Sequence, residues 1–222
     1  MGLGVGPQMG SLPEKETHLA HPRALHGDRK GEQQSCSPFQ KKSFPLPGEG
    51  LGVGLRMAHP PSKETHHAWM QKALAIAESA AIAGEVPIGA IVVSPEGHIL
   101  GQAHNGKETY QDPTAHAEIL AIREAAQVLG TWRLLGCTLY TTLEPCPMCA
   151  GAILQARMGS VVIAAPDLKW GASRTKTDLF VPNLFNHTTE VLWLSDHEDA
   201  AACAASSVAL LQSFFGERRK KR

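Results

Sequence analysis

Two short clusters constrain this chain more than anything else in it: His116-Ala117-Glu118 and, further along, Pro145-Cys146-Pro147-Met148-Cys149. They supply one imidazole, one carboxylate and two thiols. Zinc favours four-coordinate sites of thiolate and imidazole. Three protein ligands plus a water is the catalytic pattern, and four protein ligands the structural one. His116, Cys146 and Cys149 make three, and no obvious fourth stands beside them, although Cys137 is near enough in sequence to be considered. On a helix, a spacing of three residues would put the two cysteines about 60° apart on one face. Pro145 and Pro147 suit a turn leading into a first helical turn, whose positive end favours thiolate. The first cluster has similar grammar. Asp112-Pro113-Thr114-Ala115 predicts a helix start capped by Asp112 or Thr114, and Ala117, Leu120, Ala121, Ala125 and Val128 continue at helical spacing to about Leu129. His116 then falls in the first turn. Glu118 points away from it, a poor second ligand but able to reach a water at the site. A metal that activates water beside a carboxylate that moves protons points to hydrolysis of a small polar group. Either cluster alone is weak. Most H-x-E triplets are solvated helix residues, and C-x-x-C also serves redox and structural zinc sites.

The 222 residues allow one domain of ordinary size plus an appendage, and a hydrophobic content of 43% supports a packed core. No apolar run is long enough to span a bilayer, and no basic-then-apolar secretory pattern opens the chain, so a cytoplasmic location is expected. Cys36, Cys137 and Cys203 suggest no disulfide framework and receive no role. Net charge is zero, which does not by itself point to nucleic acid. The chain nevertheless closes on five basic residues, Arg218-Arg219-Lys220-Lys221-Arg222, either a solvated tail or a clamp on phosphates.

The first 56 residues differ in texture from the rest and contain a repeat. Gly2-Leu3-Gly4-Val5-Gly6 recurs as Gly50-Leu51-Gly52-Val53-Gly54, and Lys15-Glu16-Thr17-His18 as Lys63-Glu64-Thr65-His66. The working protein is expected to begin near Met57, with residues 1–60 disordered or untranslated. The domain is then residues 61–217, followed by a basic tail at 218–222. Trp69 to about Ala83 predicts an amphipathic helix. Pro87–Val93 and His98–Ala103 predict a hairpin across the turn Ser94-Pro95-Glu96-Gly97. A strand at Thr138–Thr142 leads into the Cys146 helix, which is expected to stop at Gly159. Strands at Ser160–Ala165 and Val191–Leu194 precede a last helix, His197 to Phe215, capped by Ser195 or Asp196. Helices between strands imply crossovers and partly parallel pairing. The expected fold class is α/β, a mixed five-stranded sheet between helices.

Together the clusters form H-x-E…P-C-x-x-C, the signature of zinc nucleobase deaminases. From about Glu64 to Arg219 the chain resembles the bacterial tRNA-specific adenosine deaminases of the cytidine-deaminase-like superfamily. The resemblance rests on Glu85-Val86-Pro87-Ile88-Gly89-Ala90, Asp112 to Ile119, Thr142 to Ala152, Asn105, Asp167, Lys169-Trp170-Gly171-Ala172, Asn186-His187 and Phe214-Phe215. It implies a three-layer α-β-α sandwich and conversion of adenosine to inosine at wobble position 34 of tRNA anticodons. It further implies one zinc per subunit on His116, Cys146 and Cys149, Glu118 as proton shuttle, and a homodimer gripping the anticodon stem-loop. Asn105 would bond the flipped nucleotide, with Val86, Pro87, Ala117 and Asp167 around it. Lys169, Arg174, Lys176, Phe214, Phe215, Arg218 and Arg219 are possible RNA contacts. Ser173-Arg174-Thr175-Lys176 and the Gly106-to-Gln111 approach depart from the family pattern, which puts the tRNA in more doubt than the chemistry. Rival readings are a deaminase of free guanine, cytosine or a nucleotide, and a non-catalytic partner subunit. An intact Glu118 argues against the second.

Overall fold

The computed structural model describes residues 63–197 and 201–220. The expected unstructured segment 1–60, Cys36, Lys221 and Arg222 lie outside the described residues, whereas the second Lys-Glu-Thr-His of the repeat opens the first helix. Helix α1 (Lys63–Ile82) buries Met70, Ala73, Leu74, Ala77 and Ala80, one face at helical spacing. A hairpin of β1 (Gly89–Val93) and β2 (Ile99–His104) follows. Then come a single-turn α2 (Lys107–Tyr110), α3 (Ala117–Leu129), β3 (Thr138–Leu143), α4 (Pro147–Gln155), β4 (Ser160–Ala165) and β5 (Glu190–Trp193). A 3-10 turn (Leu194–Asp196) precedes α5 (Ala201–Lys220).

The strands lie in the order β2-β1-β3-β4-β5. β1 is antiparallel to both neighbours, and β3, β4 and β5 are parallel, so the sheet is mixed as expected. Its residues alternate between two cores, the period-two rule of a strand covered on both faces. Ile91, Val93, Tyr140, Val162 and Ala164 pack with α1 and with Cys203 of α5. Ala90, Val92, Leu139, Val161 and Ile163 pack with Ala117, Ala121 and Ala125 of α3 and Ile153 of α4. The result is three layers, helix pair on sheet on helix pair. Small residues let α3 lie close to β2: a Cβ on Gly101 would overlap the Ala121 carbonyl. No described helix is long and apolar enough to cross a membrane.

The topology decides where chemistry can sit. β2 and β3 both oppose β1, so they run the same way and deliver α3 and α4 to the same end of the sheet. Two strand spacings, roughly 9.6 Å, match the usual distance between packed helices, about 8–10 Å. The first ends of α3 and α4 therefore meet. Gly89 pairs with His104, which brings the segment before β1 to that end as well.

Several boundaries differ from expectation. β1 begins at Gly89 rather than Pro87. α2 was not anticipated, because one turn carries no periodicity. α4 ends at Gln155, and the chain reverses at Arg157, whose φ is 60°. Gly159, the expected stop, instead lies against Gly136, where an added Cβ would come within 3.1 Å of the Gly136 Cα. Ser195 and Asp196 form the 3-10 turn rather than a cap on α5. The tail expected from 218 is helical through Lys220, so Arg218, Arg219 and Lys220 complete the last turn, where cations complement the exposed carbonyls.

Candidate active site

The first donor of each cluster sits at a helix cap, not inside a helix. His116 caps α3 with extended backbone, φ −77° and ψ 152°, and Cys146 caps α4 with φ −72° and ψ 170°. Asp112 is not the cap because its Oδ1 accepts from Thr114 N and Thr114 Oγ1, both at 2.7 Å, closing a turn ahead of the helix. Pro147 opens α4, a position where a missing N–H is harmless. Cys149 follows in the first turn and is buried. So the two cysteines do not share a helical face as expected; an extended cap aims Cys146 inward by a different route. Neither His116 nor Cys146 makes a side-chain capping hydrogen bond.

Their donor atoms converge on one another. Cys146 Sγ lies 3.7 Å from His116 Nδ1 and 3.7 Å from Cys149 Sγ, and Cys149 Sγ lies 3.6 Å from His116 Nδ1. A tetrahedral ion bound at ordinary zinc–sulfur and zinc–nitrogen lengths spaces its ligands ~3.8 Å sulfur to sulfur and ~3.6 Å sulfur to nitrogen. The triangle fits that geometry. Among the described residues these three alone form a group able to hold a metal. Cys137, considered as a fourth ligand, packs in the core on the α3 and α4 side of the sheet, and burial pushes its thiol up to about 11. Cys146 is drawn down to about 4 by hydrogen bonds from Cys149 and His116. Cys149 is pushed up as the donor to it, and His116 is raised by its bond to Cys146. Hydrogen bonds within the cluster thus favour the thiolate form of Cys146.

Glu118, second residue of α3, is 4% exposed. Burial pushes its carboxyl up to about 7, against weaker lowering by its own backbone N–H and the His116 charge. A carboxyl in that range takes up and releases protons near neutrality.

Two walls flank the cluster, each organised by a buried carboxylate that sequence reasoning assigned no role. Glu85 Oε2 accepts from Asn105 Nδ2 at 2.9 Å, and Oε1 from Thr109 N at 2.6 Å. This ties Asn105, buried just after β2, to the segment holding half-buried Val86 and buried Pro87. Burial raises the Glu85 carboxyl, but bonds from Thr109, Asn105 and Glu108 together hold it below the usual range. Ala117, fully buried, lies between the ligand and the shuttle. On the other side Glu144 gathers the loop after β4. The hint in the sequence was a glutamate directly after the strand Thr138–Leu143, with no lysine or arginine nearby.

Other expected contacts prove to be internally engaged. Asp167 Oδ1 accepts from Lys169 N at 2.8 Å and Trp170 N at 3.2 Å, closing a turn. Arg174 pairs with both oxygens of Asp196 at 2.7 and 3.0 Å, reaches Ser195 Oγ, and stacks 3.7 Å above the Trp193 ring. Arg218 donates to the Gly84 carbonyl at 2.7 Å and lies over Phe214, which meets Phe215 edge to face. Lys176 is exposed. Lys169, Phe215, Arg218 and Arg219 do come together, with Leu211 and Gln212, around a groove of about 420 Å³.

Residues 64–219 match the MafB19-like deaminase family. The chain is 47% identical over 154 residues to the tRNA-specific adenosine deaminase of Bacillus subtilis strain 168, covering 69% of this chain and 91% of that protein. It is 40% identical over 153 residues to the tRNA-specific adenosine deaminase of Haemophilus influenzae, covering 69% and 84%. In three dimensions it resembles a tRNA:A34 deaminase solved in work on A-to-I editing at the wobble position of transfer RNA. The TM-score is 0.59 at 38% identity, over 65% of this chain and 99% of that one. The matched stretch contains both clusters, the sheet that sets their helices side by side, and nearly the whole length of these relatives: the chain belongs to the tRNA-specific adenosine deaminases.

Proposed function

We propose that this protein hydrolyses adenosine to inosine at the wobble position of a tRNA anticodon, with zinc held by His116, Cys146 and Cys149. The observation that carries the proposal is the triangle of one nitrogen and two sulfurs at tetrahedral spacing beside the buried Glu118. Zinc, when bound, supplies Lewis acidity that lowers the pKa of water toward ~7. Glu118 accepts the proton from the attacking water and passes it to N1 of the purine. It then carries the second water proton, from the new C6 hydroxyl, to the exocyclic nitrogen, so the C6 carbonyl forms as the C–N bond breaks and ammonia departs. Water supplies the new C6 oxygen, so adenosine plus water balances to inosine plus ammonia.

Asn105, oriented by Glu85, bonds the flipped nucleotide, while Val86, Pro87, Ala117 and Asp167 wall the pocket. Lys169, Arg218 and Arg219 serve the phosphates beside the groove and Phe215 offers a face for a base. Lys176 adds a charge at the rim. Arg174 acts indirectly, because its guanidinium is already paired. A second copy of the chain, packed through α4, completes the grip on the anticodon stem-loop. A cytoplasmic setting accords with four free thiols among the described residues.

The test is turnover. Purified protein is incubated with a tRNA carrying a wobble adenosine, with free adenosine and free guanine as controls, and inosine and ammonia are scored. Inosine at position 34 alone supports the proposal. Consumption of guanine with the tRNA untouched overturns it in favour of a free-base deaminase.

A further inference from the structure

Glu144 lies between β3 and Cys146 and is only 2% exposed. No lysine or arginine among the described residues is paired with it. The loop after β4 folds around its carboxylate instead. Oε1 accepts from the backbone N–H groups of Ser173, Arg174 and Thr175 at 3.0, 3.0 and 3.1 Å, and from Ser173 Oγ at 3.2 Å. Oε2 accepts from Asp167 N at 3.0 Å and from Thr175 Oγ1. Three consecutive amides on one oxygen form a nest of the kind that binds anions. Gly171 is part of the fit, because a Cβ there would overlap the carboxylate. Next to it, Ala172 N donates 2.9 Å to the carbonyl of Pro145, the residue before Cys146.

One loop is thus fastened at two successive residues immediately ahead of a candidate metal ligand. The same loop carries Lys169, which lines the groove with α5, and exposes Leu168 and Trp170. A buried carboxylate without a counter-cation is an expensive way to fill space, and an apolar side chain would do that more cheaply. What the carboxylate adds is orientation of many backbone groups at once.

We infer that Glu144 is a positioning residue that holds the 167–175 loop against the metal corner and so sets how the RNA seats, without touching substrate. The inference rests on the proposed tRNA reading for its substrate, but not for its structural half. Three variants test it: Glu144→Gln, which turns a donor toward the nest; Thr175→Val, which removes one donor and keeps the carboxylate; and Gly171→Ala, which presses on the loop from its own side. Measured for each are metal content, amide hydrogen exchange at residues 173–175, and kcat and KM on a wobble-adenosine anticodon stem-loop. Expected are faster exchange at those amides, metal content equal to wild type, and KM raised about tenfold in Glu144→Gln with kcat held within about twofold. Thr175→Val shows the same pattern in smaller measure, so the inference stays open to refutation even where Glu144→Gln does not fold. Unchanged exchange, a fall in kcat at constant KM, or loss of metal overturns it. If the wild type itself leaves the stem-loop unmodified, the tRNA reading fails, and exchange with metal content alone upholds or overturns the holding of the loop.

Discussion

Glu118 and Glu144 are both buried glutamates within reach of the same corner, and they have opposite fates. Around Glu144 the chain supplies backbone amides and hydroxyls; burial raises its carboxyl, but bonds from Thr175, Ser173 and Asp167 together bring it below the usual range. Around Glu118 only its own N–H and the Cys149 thiol are offered, burial prevails, and the carboxyl rises to about 7. Depth and the number of donors aimed at a carboxylate together decide what it becomes. A saturated carboxylate is a fastener, and an unsaturated one is free to trade protons.

That contrast can be broken or sharpened by experiment. The largest effect belongs to the donor triangle both glutamates serve. Cys149→Ala is expected to lose bound metal and all measurable inosine formation, and chelation of the wild type should match it while lowering the melting temperature. Metal analysis beside a turnover assay checks both. Next, Glu118→Gln should reduce turnover about a thousandfold, with metal content equal to wild type and no fall in melting temperature, because the substitution removes a poorly solvated charge. A variant that still turns over would end the proton-shuttle role.

Glu85, a second donor-rich carboxylate, should behave like Glu144. Its folded pKa lies below the unfolded value of about 4.3, so its stabilisation is complete above that pH and fades as pH falls through the folded value. Glu85→Gln should accordingly melt below wild type at neutral pH and converge with it in acid. A constant gap between the two melting curves across that range would contradict the assignment. The smallest effect is Arg174→Ala. Its ion pair and ring stacking are partly exposed, so it should lower stability by about 1 kcal/mol and leave the salt dependence of RNA binding unchanged. A reduced salt slope would return Arg174 to the phosphate contacts.

Element order and chemistry were legible in the chain. The apolar runs of β1 and β4 read as buried strands, and one imidazole with two thiols read as a donor set. What escaped was decided between distant residues. Arg174 reads as a free cation until Asp196 and Trp193 are brought beside it by the strand that follows. Glu144 reads as part of a motif until a loop from beyond β4 closes over it. Local competition misled as well: Asp112 satisfied Thr114 rather than the helix, which moved His116 out to the cap, and Arg157 took the left-handed turn that Gly159 was expected to make.

The hairpin turn between β1 and β2 has a practical consequence. Ser94 Oγ accepts from both Glu96 N and His98 N, so the turn is closed by its own atoms. Because Gly89 and His104 pair at the end of the sheet that carries the donor triangle, residues 94–98 lie at the opposite end of the sheet. A dye, an affinity peptide or a surface tether grafted at Glu96 would report on or immobilise the protein while leaving the proposed RNA face open.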